Sequence, residues 1–69
     1  MQREMAVGFY KDLVKELTQI GFYYVRQAKG SHEQWYNAET NVSVTIPRNL
    51  NSRHTANGIL KKAGSAKKF

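Results

Sequence analysis

The sequence predicts an α+β domain of order α-β-β-β-α, in which a three-stranded antiparallel sheet carries two helices on one face. Three observations lead there. Apolar residues recur at helical spacing near the N-terminus, at Phe9, Leu13, Leu17 and Ile20. Three short runs rich in β-branched and aromatic residues follow, separated by turn residues. A second stretch with helical spacing then approaches the C-terminus. Sixty-nine residues hold one small core and no second domain. That domain is expected to span 1–69, with its core at about 8–64 and residues 65–69 as a flexible tail.

The first helix lies in "GFYKDLVKELTQIG", where Tyr10 and Val14 widen the apolar stripe and Gly21 supplies the stop. "FYYVRQA" is too short for a helix and reads as a strand over Phe22–Ala28. "HEQWYN" is the second strand. "VSVTI" is the third, alternating Val42, Val44 and Ile46 against Ser43 and Thr45, and Pro47 ends it because proline donates no ladder bond. "PRNLN" is loop. The second helix runs from about Ser52 or Thr55 to Ala63, with Ile59, Leu60 and Ala63 inward and Gly64 after it. Gly58 costs that helix about 1 kcal/mol relative to alanine.

Register arithmetic decides which way His32 points. With Trp35 inward, Glu33 and Asn37 share its side, and His32, Gln34 and Tyr36 take the other. In the first strand Val25 is expected inward and Arg26 outward. A two-residue turn, Lys29-Gly30, pairs Val25 with Gln34 and mixes the faces. A three-residue turn, Lys29-Gly30-Ser31, pairs Val25 with Trp35, Arg26 with Gln34 and Ala28 with His32, and keeps the faces apart. A four-residue connection, Ala38–Asn41, then pairs Trp35 with Val44. His32 therefore stands on the solvated face, at the turn end, near Arg26, Lys29 and Ser31. By the same register Tyr24 and Tyr36 share its face, available to stack unpaired bases or to pair across strands.

Charge is distributed unevenly. Residues 1–39 carry five cations and all five acids and sum to zero, so the net charge of +6 lies entirely in residues 40–69. Such one-sidedness points to a polyanionic partner, nucleic acid before membrane. No cysteine is present, which removes disulfides, thiolate zinc sites and cysteine nucleophiles. Two histidines far apart, without a carboxylate cluster, predict no metal site and no cofactor. "MQREMAVGF" holds no signal-peptide run and no segment reaches a membrane span, so the expected location is the cytoplasm.

"GFYYVRQAKGSHEQW", followed by "VSVTIP" and "TANGILKKAG", resembles the HicA toxin family, small mRNA interferases of bacterial toxin–antitoxin pairs. The resemblance rests on Gly21, Phe22, Arg26, Gly30, Ser31, His32, Gln34 and Trp35, and it covers roughly residues 10–64. It implies a double-stranded-RNA-binding-domain-like fold, endoribonuclease activity with His32 essential, and a HicB-like antitoxin that covers the site. Two departures stand out. His54 precedes Thr55 where many members have glycine, and the second helix carries Asn57-Gly58 where better helix formers are usual.

The expected function is metal-independent cleavage of mRNA, with His32 as general acid or base and Arg26 and Lys29 offsetting phosphate charge. Gly30 and Ser31 shape the turn toward a phosphate, and Arg53, Lys61 and Lys62 are expected to follow the RNA backbone. No second acid–base group suggests itself. One rival is a non-catalytic RNA-binding module of the same fold; another is a protein-interaction domain with an acidic partner.

Overall fold

The computed structural model describes residues 8–69. Residues 1–7, part of the stretch read as lacking a signal peptide, lie outside the described residues. The order is α1 (Tyr10–Gln19), β1 (Tyr23–Gln27), β2 (His32–Asn37), β3 (Val42–Pro47) and α2 (Arg53–Ala63). The sheet is antiparallel with strand order β1-β2-β3, so the expected α-β-β-β-α architecture is the one observed.

One face of the sheet is covered. Trp35, Val44 and Ile46 are buried in a single cluster with Leu13 and Leu17 of α1 and with Ala56, Leu60 and Ala63 of α2. Phe22 and Leu50 close its ends. Leu13 and Leu17 lie one turn apart on the same helix face, and both are wholly buried. On β2 the strict alternation sends Glu33, Trp35 and Asn37 inward and leaves His32 exposed.

Helix ends are satisfied by specific partners. Phe9 N–H donates to the Leu50 carbonyl at 2.8 Å, tying the start of α1 to the loop before α2. At its other end Asn37, 2% exposed, donates from Nδ2 to the Ile20 carbonyl and accepts from Glu39 N–H. Gly21 sits at φ +109°, which favours glycine, and a Cβ there would crowd Asn37 Nδ2 at 3.0 Å. Ser52 caps α2 by accepting from Thr55 N–H, and Gly64 ends it in the left-handed region at φ +84°.

The register holds on one side of β2 and slips on the other. Trp35 pairs with Val44 and Arg26 with Gln34, as expected. Trp35, however, is paired with Tyr24 rather than Val25, because the β1 register shifts between Tyr24 and Arg26. That irregularity inserts one extra residue. Its consequences are concrete. Val25, expected inward, is 47% exposed. Tyr24 takes the Trp35 side, with their rings at 78° and 6.0 Å, so it does not share the face of His32. Tyr23 takes that place, edge-on to Tyr36 at 5.9 Å.

Residues 65–69, expected as a tail, lie back against the helices. Ser65 Oγ donates to Glu16 at 2.7 Å, Phe69 N–H donates to Asn57 Oδ1 at 2.8 Å, and the Phe69 ring meets Phe9 at 5.1 Å. No helix among the described residues is long and apolar enough to cross a membrane.

Candidate active site

His32 opens β2 at the mouth of the Lys29-Gly30-Ser31 turn. Gly30 adopts φ +64°, the left-handed position that the turn requires. Among the described residues, several bonds besides that of the imidazole hold the turn. His32 N–H donates to the Lys29 carbonyl and Ala28 N–H to the His32 carbonyl. Gln27 Nε2 donates to the Gly30 carbonyl at 2.9 Å, and Arg48 N–H donates to the Ser31 carbonyl at 3.0 Å. The last bond ties the turn to the end of β3, where Pro47 stands opposite His32.

The imidazole itself has one partner among the described residues. Its Nδ1 lies 3.1 Å from the Lys29 carbonyl oxygen. A carbonyl only accepts, so Nδ1 carries the proton and, in the neutral ring, Nε2 carries the lone pair. Nε2 is then the ring atom left to accept a proton. A main-chain carbonyl of the turn thus fixes the tautomer and the orientation of the ring.

Arg26, Lys29, Gly30, Ser31 and His32 come together at this end of the hairpin. Arg26 lies on the outer face, opposite Gln34, and its Nη1 donates to the Gln27 carbonyl at 3.3 Å. Gln34 is anchored in turn by Thr45 Oγ1 at 3.0 Å. Arg53, Lys61 and Lys62 are not part of this group. They are exposed on α2, which packs against the opposite face of the sheet. Lys61 is eight residues beyond Arg53, about 12 Å further along the helix axis at 1.5 Å per residue. The basic residues therefore form two surfaces, one at the turn and one on α2.

Beneath the turn lies a polar cluster that sequence reasoning did not identify. Glu33, 7% exposed, accepts from Tyr10 Oη at 2.7 Å and from Trp35 Nε1 at 3.1 Å. Arg48 Nε stands 3.7 Å from its other oxygen, and the Arg48 guanidinium lies over the Tyr10 ring. The residue next to His32 is thus pinned from the inner side by α1 and by β2 itself. Only the alternation that sends Glu33 inward signalled this.

Burial, then the bond to Glu33 and that carboxylate's charge, push the Tyr10 hydroxyl up from 10.0 to about 12. A raised value means that the folded state holds this proton more tightly than the unfolded chain does. The stabilisation is complete below pH 10 and is lost as pH rises toward about 12. Tyr10→Phe should accordingly lose stability less steeply than wild type over that interval, read by urea unfolding at stepped pH. Parallel losses would contradict the assignment.

The family model described as HicA toxin of bacterial toxin–antitoxin matches residues 10–65. Neither the comparison with curated proteins nor that with solved structures gives a match. The matched stretch contains both helices, all three strands and the histidine turn, and on that extent the chain belongs to the HicA toxin family.

Proposed function

We propose that this toxin is an mRNA-cleaving endoribonuclease in which His32 acts as the general acid or base. Membership of the family gives the chain a toxin's role and implies an antitoxin partner; the proposal makes that partner HicB-like and the compartment the cytoplasm, where mRNA is found. The observation that carries the reading is the Nδ1 bond to the Lys29 carbonyl on an exposed histidine, which leaves Nε2 as the proton acceptor.

In this mechanism Nε2 removes the proton from a ribose 2′-hydroxyl. The 2′-oxygen attacks the adjacent phosphorus, and the bond to the 5′-oxygen breaks. The imidazolium returns its proton to that leaving oxygen, giving a 2′,3′-cyclic phosphate and a 5′-hydroxyl. Arg26 and Lys29 stabilise the charge gathered on the phosphoryl oxygens, with Gly30 and Ser31 shaping the turn beneath it. No metal takes part. One histidine serving both steps predicts modest turnover.

A second reading is a non-catalytic RNA-binding module. It is favoured by the immediate surroundings of His32 on the outer face, where Pro47 stands opposite and Gln34 next along the strand, neither of them an acid–base group. Incubation with labelled RNA in EDTA separates the two, since only the enzyme shortens the RNA.

RNA contact on α2 is tested through salt. Reversing Lys61 and Lys62 to glutamate should weaken RNA binding and flatten its salt dependence by about 0.7–1 unit of slope per lost phosphate contact. An unchanged slope would place the RNA elsewhere.

A further inference from the structure

Asn57-Gly58 is a poor pair for the middle of a helix, since both residues disfavour helix relative to alanine. The structure gives both a use. Asn57 clamps residue 69 from two sides, accepting from Phe69 N–H at 2.8 Å and reaching its carbonyl from Nδ2 at 3.4 Å. The strap of residues 65–69 is held further by Ser65 on Glu16 and by Phe69 on Phe9, and Lys67 Nζ lies 5.6 Å above the Phe69 ring.

Between this strap and α2 lies a groove of about 630 Å³. Lys61, Lys67, Lys68 and His54 line it, and no carboxylate does. Gly58 is also in its lining, and nothing stands within 4 Å of where a Cβ would sit, so any side chain there would project into open groove space. On the other side of the strap the lining is mixed, with Asp12 and Glu16 beside Lys15 and Lys67. The strap thus separates a channel whose charged lining is all basic from one that also bears acids, with Lys67 bordering both.

We infer that this groove is a second binding site for the phosphate backbone of single-stranded RNA, formed when Asn57 fixes the strap and brings Lys67 and Lys68 beside Lys61. Three lysines along an acid-free channel suit a chain of phosphates and release counterions on binding. Width at Gly58 admits the sugar–phosphate chain, which explains the glycine at a cost to the helix. The site lies on the helix side of the sheet, so RNA held here reaches His32 only by passing around the molecule; the groove supplies affinity, not chemistry. This inference rests on the RNA-cleaving reading above.

The test uses a short fluorescein-labelled 2′-O-methyl RNA, which keeps its phosphates but lacks the attacking hydroxyl, so binding is read without cleavage. Gly58→Leu fills the groove while improving helix propensity, and should bind several-fold more weakly with a thermal midpoint at or above wild type. Asn57→Ala releases the strap, and loss of the Lys67 and Lys68 contacts should lower the salt slope by about 1.4, at roughly 0.7 per phosphate of a single strand. Wild-type affinity and slope in both variants would overturn the groove and leave the cleavage reading standing if unmodified RNA is still cut. The reverse, binding that depends on the groove with no cleavage of unmodified RNA, would keep the groove and remove the enzyme. Tighter competition by polyglutamate than by the RNA at equal salt would also overturn the assignment, giving the groove to an acidic protein segment.

Discussion

Replacing His32 by alanine should lower the rate of RNA cleavage by about 10²–10⁴-fold, the usual cost of removing a general acid or base. Stability should move by no more than about 0.5 kcal/mol, as for an ordinary surface change. The two expectations separate because the side chain is exposed and its one partner among the described residues is the Lys29 carbonyl. The backbone bonds that hold the turn, from His32 N–H and Ala28 N–H, do not involve the imidazole. The variant should keep its fold, its RNA affinity and its antitoxin while losing growth arrest. Lys11→Ala, on the exposed side of α1, should cut RNA as wild type does. Near-normal cleavage by His32→Ala would remove the histidine from the chemistry, and an unfolded variant would make it structural instead.

Glu33→Ala should produce the opposite pattern, a large loss of stability. The carboxylate is buried, and its removal leaves Trp35 Nε1 without its acceptor and Tyr10 Oη without its own. An orphaned buried donor costs about 1–3 kcal/mol. Tyr10 is half-buried and can turn toward water, so the total should be about 2–3 kcal/mol rather than twice that. For a domain of this size each kcal/mol moves the thermal midpoint by about 4–8 °C, so the shift should be roughly 10–20 °C. The Arg48 ion pair adds little, since its guanidinium is largely exposed and screened. Glu33→Gln keeps an acceptor oxygen and should lose clearly less. Melting followed by circular dichroism measures both, and a Glu33→Ala midpoint within a degree or two of wild type would show that these bonds carry no net stability.

Most of the fold is legible in the chain because its periodicities are clean. Leu13 and Leu17 mark one helix face, and the alternation around Trp35 and Val44 places β2 and β3 in register. Gly21 and Gly64 stop the helices where a left-handed residue is needed. The first strand was legible only in part. A bulge changes face without changing composition, so counting by twos through "YYVRQ" sets Val25 against Trp35, where Tyr24 is found, and both residues are about half exposed. The turn and the outward direction of His32 follow from local sequence, and so does the gathering of Arg26 and Lys29 around it. Partners far apart in sequence were not legible. Nothing near Glu33 names Tyr10, and nothing in "SAKKF" names Asn57, since both contacts exist only once α1 and α2 have packed. The basic residues of α2 read as one set with the turn, whereas the sheet stands between them.

The most direct test of the account is end-labelled RNA incubated with the purified wild-type protein in excess EDTA, with the product ends identified. The expected product is shortened RNA bearing 2′,3′-cyclic phosphate and 5′-hydroxyl ends. RNA that is bound but remains full-length would contradict it.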